Sequence, residues 1–194
     1  MELPTHKFNQ SDLLMGMTSS LKDGACLGLT VRWLVEASTT NPSVAAIALT
    51  HGAGAQEALI SHARFTDSHR RNDTEFDSTV VHRIIKMSSY KLKANPVSIS
   101  TNGRYIDTAV SMIAAMSDEK SNLALVTFNG IFGYHCIALG NVRNVWTTFD
   151  ANEGTWTFAG DAKGAPTRYS QLIVDIFNEY QAKNIRFFQT ISMF

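Results

Sequence analysis

An α+β fold is predicted for this chain, with a helical first half packed on an antiparallel sheet formed by the second half. Three observations point to it. Apolar residues recur at three- and four-residue steps as far as Met116; after Asn122 the period changes to two; and short turn signals, led by Asn129-Gly130, divide the second half into strand-length runs.

The elements follow in order. Asp23 is placed to cap a helix in which Leu27, Val31, Leu34 and Val35 keep helical spacing, until Ser38-Thr39-Thr40-Asn41-Pro42 breaks it. Pro42 suits a first helical position, so a second helix is expected through Leu49. Helical patterning also fits about 54–65, about 75–90, where Phe76, Val80, Ile84 and Met87 recur, and about 104–116. Leu123 to Phe128 reads as a strand, Asn129-Gly130 as a two-residue hairpin turn and Phe132 to Leu139 as the returning strand. Turns are expected at Asn141–Asn144 and Glu153-Gly154, around a strand from Val145 to Phe149, with Trp156 and Phe158 sharing one face of the next strand. A helix from about Tyr169 to Gln181 precedes a closing strand from Ile185 to Ile191. No repeat, low-complexity tract or linker interrupts the chain. Residues 1–194 are therefore read as one domain, with a helical subregion of about 11–116 and a sheet subregion of about 122–194.

Composition narrows the function. The 17 basic and 17 acidic residues cancel, and Arg70-Arg71 is the only basic cluster, which argues against a nucleic-acid binder. No apolar run approaches the roughly 18 residues of a membrane span, and the N-terminus lacks a basic-then-apolar signal pattern. Two cysteines make neither a disulfide framework nor a zinc pair, and no carboxylate or Cys completes a metal set with His51, His62, His69 and His82. Cys26 and Cys136 have the option of bridging each other; without a secretion signal both are expected to stay reduced. No cofactor is called for.

The chemistry lies in Cys26, His135 and Asp150, in that order. With Asp23 as cap, Cys26 is the third residue of its helix, where unsatisfied N–H groups and the positive helix end favour the thiolate. His135 is suited to lower the thiol pKa further and to protonate a leaving amine, while Asp150, or its neighbour Asn152, holds the second imidazole nitrogen. Strand alternation sends His135 and Cys136 to opposite faces, which leaves Cys26 as the better partner and Cys136 as a small buried residue. Trp33, Trp146 and Trp156 are read as core.

This layout resembles the YopT-type, papain-like cysteine proteases, effector enzymes of bacterial pathogens and plant symbionts. The resemblance rests on a Gly-x-Cys helix start with Trp33 seven residues on, on Tyr134-His135 in a strand, and on Phe149-Asp150-x-Asn152-x-Gly154, the most specific of the three. Cys26 and His135 stand 109 residues apart and His135 and Asp150 stand 15 apart, both similar to that family. It implies a papain-like fold and a secreted effector without a classical signal peptide, cleaving a protein substrate in the target-cell cytoplasm. Without such delivery the protein would be cytoplasmic. One departure stands out. Papain-like enzymes carry an amide a few residues before the nucleophile to bind the oxyanion, whereas Thr18-Ser19-Ser20-Leu21-Lys22-Asp23 has none, so Ser20 and the more distant Gln10 are the candidates. Three alternatives remain open: glutamine deamidation or acyl transfer on the same triad, a cell-wall amidase, and a non-catalytic binding or immunity-type protein.

Overall fold

The computed structural model describes residues 1–15, 25–50, 53–69, 92–97, 104–117, 121–159 and 164–192. The alternating second half becomes strands β3 (Ser121–Gly130), β4 (Gly133–Val142), β5 (Val145–Asp150), β6 (Gly154–Ala159) and β7 (Lys183–Ser192). Two strands not foreseen, β1 (His6–Lys7) and β2 (Leu92–Val97), pair with β6 and β7. The seven form one antiparallel sheet in the order β1-β6-β5-β4-β3-β7-β2. Helices α1 (Gln10–Leu14), α2 (Cys26–Thr39), α3 (Pro42–Thr50), α4 (Ala53–His69), α5 (Tyr105–Ser117) and α6 (Ala165–Tyr180) accompany it. The helix expected over 75–90 lies outside the described residues, as does Asp23.

Helices cover both faces of the sheet. Leu123, Leu125, Cys136, Ala138 and Phe149 pack with α2, α3 and α4, while Ala124, Val126, Phe128, Ile137 and Leu139 pack with α5 and α6. Strict alternation along β3 and β4 therefore feeds two cores. It also explains why β4 is buried without interruption from His135 to Asn141. Trp33 lies flat on Phe149, with ring centroids 5.9 Å apart and planes within 5°. Gly140 makes room beneath it, since a Cβ there would stand 3.4 Å from Trp33 Cη2 and 3.2 Å from Leu123 Cδ2.

Two turns refine the expected positions. The β4–β5 hairpin turns at Arg143-Asn144, both left-handed (φ 53° and 63°), as a two-residue turn between right-twisted strands requires. The β3–β4 turn is Ile131-Phe132 rather than Asn129-Gly130: Asn129 pairs with Tyr134, and Gly130 with Gly133. Gly133 supplies the positive φ, 102°, while Gly130 admits the end of α6, where a Cβ would meet the Tyr180 carbonyl oxygen at 3.0 Å. Ile131 N–H donates to that same oxygen at 3.0 Å. The hairpin tip and the last residue of α6 are thereby fastened together, beside the site described next.

Candidate active site

The site forms where the sheet loses a strand. β5 ends at Asp150, opposite Ile137, yet β4 continues through residues 133–136 with β3 alone beside it among the described strands. The start of α2 occupies the vacated edge. Carbonyls of alternate strand residues point the same way, and here two of them meet α2: Cys136 O accepts from Thr30 Oγ1 at 3.4 Å, and Tyr134 O lies 4.0 Å from Cys26 Sγ. Cys26 is thus placed at the rim of the sheet rather than over one face. From there its sulfur reaches His135 on one side and Cys136 on the other.

The helix starts later than the sequence suggests. Its N-cap is Ala25, with no side-chain cap, so Cys26 is the first helical residue rather than the third. Two residues remote in sequence satisfy the amides that a local cap would serve. Gln10 Oε1 accepts from Ala25 N–H at 2.6 Å, and His62 Nδ1 on α4 accepts from Gly28 N–H at 3.3 Å. Gly28 permits that approach of α4, because a Cβ there would stand 2.4 Å from Ala58 O and 2.8 Å from His62 Cβ.

His135 is held on every side. Its Nε2 meets Asp150 Oδ1 at 3.0 Å, which leaves Nδ1 for Cys26. The Phe128 ring meets the imidazole edge-on, and the Tyr180 ring stacks on it at 4.5 Å and 13°. Asp150 is fully buried. Its Oδ1 also accepts from Asn152 N–H at 2.8 Å and from Tyr180 Oη–H at 3.4 Å.

The Asp150-x-Asn152-x-Gly154 turn also builds the opposite wall. Gly154 has φ 130°, and a Cβ there would stand 2.1 Å from His6 O, so only glycine lets β1 lie against the turn. With β1 seated, Phe8 N–H donates to Glu153 O and Gln10 N–H to Ala151 O, the latter at 2.7 Å. Gln10 then donates from Nε2 to Asn152 Oδ1, and Asn152 Nδ2 donates to Tyr180 Oη at 2.8 Å. A cavity of about 230 Å³ lies between α1, the β3–β4 hairpin tip and these groups, with Gln10, Cys26 and His135 on its wall.

Electrostatics favour an ion pair. Burial pulls the His135 imidazole down, but the charge and hydrogen bond of Asp150, followed by those of Cys26, outweigh it and raise the pKa to about 10. The Cys26 thiol lies well below its ordinary value, first through a hydrogen bond from Cys136, against the upward push of burial, and then through His135. Cys136 shifts upward by burial and by its contact with Cys26, so it remains a thiol. His62, lowered by burial, remains neutral and able to accept. Both cysteines are free. A thiolate beside an imidazolium is a nucleophile and a proton donor in one arrangement.

Of the residues singled out in the sequence, Cys26, His135, Asp150, Asn152 and Gln10 converge here, whereas Ser20 lies outside the described residues. Cys136 does face away from His135, as alternation requires, yet it meets Cys26 because Cys26 sits at the rim. Tyr180 and His62 are additions. His62 was read as a surface or satisfied histidine, and it is satisfied, by the amide of Gly28. Tyr180 ends an amphipathic helix, where apolar spacing signals core and nothing more.

A helix that brings a cysteine to a sheet edge beside a histidine of the adjoining strand is the arrangement of a papain-like cysteine protease, and the family match agrees. The chain belongs to the Peptidase_C58 family, described as Yersinia/Haemophilus virulence surface antigen, whose family model matches residues 4–194. The YopT-type resemblance read from the motifs therefore stands. Among solved structures, the Pseudomonas avirulence protein AvrPphB is similar with a TM-score of 0.68 at 18% identity, covering 94% of this chain and 100% of that one. PatoxP, a cysteine protease-like domain of the Photorhabdus asymbiotica toxin PaTox, is similar with a TM-score of 0.52 at 10% identity, covering 95% of this chain and 52% of that one. At such identities the likeness is one of fold. No curated protein matches the chain in sequence. Among the described residues, no helix is long and apolar enough to cross a membrane.

Proposed function

We propose that residues 1–194 act as one catalytic unit that cleaves a specific protein in a target cell, reached by a bacterial secretion route. Cys26 is the nucleophile, His135 carries the proton, and Asp150 orients His135. Cys26 Sγ attacks the scissile carbonyl carbon. The oxygen takes up charge beside two donors, Cys26 N–H and the Gln10 amide. One Gln10 hydrogen serves Asn152 Oδ1, which leaves the second for the oxyanion. Collapse breaks the C–N bond as the His135 imidazolium gives its proton to the leaving amine, and a thioester remains on Cys26. Water attacks the thioester while His135 takes one of its protons. C–S cleavage then releases the carboxyl product and restores the thiolate–imidazolium pair.

The observation that carries this reading is the 3.0 Å contact between His135 and Asp150 beside a thiol held well below its ordinary pKa. Family membership supports a protein substrate and action as a virulence effector. The test is to incubate host-cell lysate with the protein or with Cys26→Ala and to label new amino termini. Fragments confined to the unaltered protein support proteolysis. A target that instead gains about 1 Da without fragmentation identifies a deamidase working through the same acyl-thioester. No change in any protein contradicts both.

A further inference from the structure

Three donors crowd one oxygen of Asp150 while its buried Oδ2 has no hydrogen-bond partner among the described residues. A carboxylate held by one oxygen pivots unless its donors are themselves fixed. Two of them are restrained by the β5–β6 turn and by the imidazole itself, and the third belongs to Tyr180. That residue has no place in the bond-making steps above, yet it touches both halves of the site.

We propose that Tyr180 is a positioning residue with two separable functions: its ring holds the His135 imidazole against Asp150, and its hydroxyl fixes Gln10, through Asn152, at the oxyanion side. The ring lies nearly parallel to the imidazole, 4.5 Å away, with Phe128 meeting both rings edge-on. Rotation of His135 away from Cys26 is blocked by that stack. The hydroxyl sits in a chain with consistent donor direction: Ala25 N–H to Gln10 Oε1, Gln10 Nε2–H to Asn152 Oδ1, Asn152 Nδ2–H to Tyr180 Oη, and Tyr180 Oη–H to Asp150 Oδ1. Each amide in it is oriented by the next. Tyr180 is in turn anchored by the β3–β4 hairpin, whose Ile131 N–H donates to its carbonyl. The titratable groups facing His135 are Cys26 on α2, Asp150 on β5, Glu153 in the β5–β6 turn and Tyr180 itself, while His62 on α4 faces Cys26.

This inference rests on the catalytic reading of Cys26, and two thiol probes separate the failure of one from the failure of the other. Iodoacetamide alkylation reads the thiolate and forms no oxyanion. Acylation by p-nitrophenyl acetate, followed as the burst of p-nitrophenolate, requires oxyanion stabilisation as well. Tyr180→Phe keeps the ring and deletes the hydroxyl. With His135 and Asn152 N–H still holding Asp150, it is expected to shift the alkylation midpoint less than loss of the ring does, but to acylate roughly tenfold more slowly, less than the 10²–10³ of a deleted donor. Tyr180→Leu, or Tyr180→His where leucine prevents folding, removes or weakens the ring. It is expected to raise the alkylation midpoint toward that of an ordinary thiol, with Tyr180→Phe serving as the rescue. Folded variants that match the unaltered protein with both probes overturn the proposal. An unaltered protein whose Cys26 alkylates no faster than Cys136 at pH 6 overturns the catalytic reading itself, whatever Tyr180 does.

Discussion

β4 is one strand with two fates. From Ile137 to Val142 it lies between β3 and β5, its side chains divided between two buried cores. From Gly133 to Cys136 its outer edge is free of β5, and α2 comes in to meet its carbonyls. Where the ladder is closed, the residues serve stability. Where it opens, the same alternation delivers His135 and Cys136 to either side of a buried thiol. The site therefore depends on where β5 stops, and Asp150 is at once its last ladder residue and the partner of His135.

Substitutions at the two ends should separate activity from stability. At the open end, Cys26→Ala removes the nucleophile and is expected to abolish cleavage, by about 10⁶-fold where residual turnover can be measured, with a melting temperature lowered far less than by Leu139→Ala. Gln10→Ala should slow acylation by p-nitrophenyl acetate by about 10²–10³-fold while leaving the alkylation midpoint of Cys26 in place. At the closed end, Leu139→Ala should cost about 2–5 kcal/mol in denaturant unfolding and leave the specific activity of the folded protein unaltered. Leu139 is fully buried against α5 and α6 and far from the open edge. Gly154→Ala tests the seam between the two ends. It strains a backbone at φ 130° and collides with His6 O, so a loss of about 1–3 kcal/mol is expected, together with slower acylation as β1 and Gln10 shift.

The smallest effect is a trend with pH. His135 rises from 6.5 to about 10 on folding, so its contribution to stability is fully present below pH 6.5 and is lost as the pH passes through about 10. Folding also takes a proton from Cys26, whose unfolded thiol ionises only at about pH 8.5, so the proton counts of the pair cancel between about pH 6.5 and that value. The gap in melting temperature between the protein and His135→Gln should hold level there and narrow from about pH 8.5 toward pH 10. A gap that stayed constant up to about pH 10 would mean His135 is neutral in the folded protein.

What the sequence made legible followed from residues whose chemistry is local. Asp150, Asn152 and Gly154 share one turn, and His135 lies one hairpin away, so spacing alone put them together. Cys26 was readable from its helix start, though the expected cap was misplaced. Its amides are served by Gln10 and His62, which approach from other elements and leave no mark near Asp23. Gln10 was within view only because an amide was missing from the usual place. Its position depends on β1 docking against Gly154, a two-residue strand too short to show a period. The turn at Ile131-Phe132 evaded the Asn-Gly signal because Gly130 is needed for the approach of Tyr180, a tertiary demand. Tyr180 itself was hidden because it ends an amphipathic helix, where apolar spacing points to burial and not to chemistry.

The central claim is that Cys26 is a thiolate at neutral pH because His135 and Asp150 hold an imidazolium beside it. Iodoacetamide alkylation of Cys26 across pH, resolved from Cys136 by peptide mass spectrometry, tests it most directly. Rapid modification of Cys26 below pH 7, with Cys136 unreactive and with the rate at Cys26 collapsing in His135→Gln, is the predicted result. Slow reaction of both thiols with midpoints near 8.5, the value of a free cysteine, would contradict it.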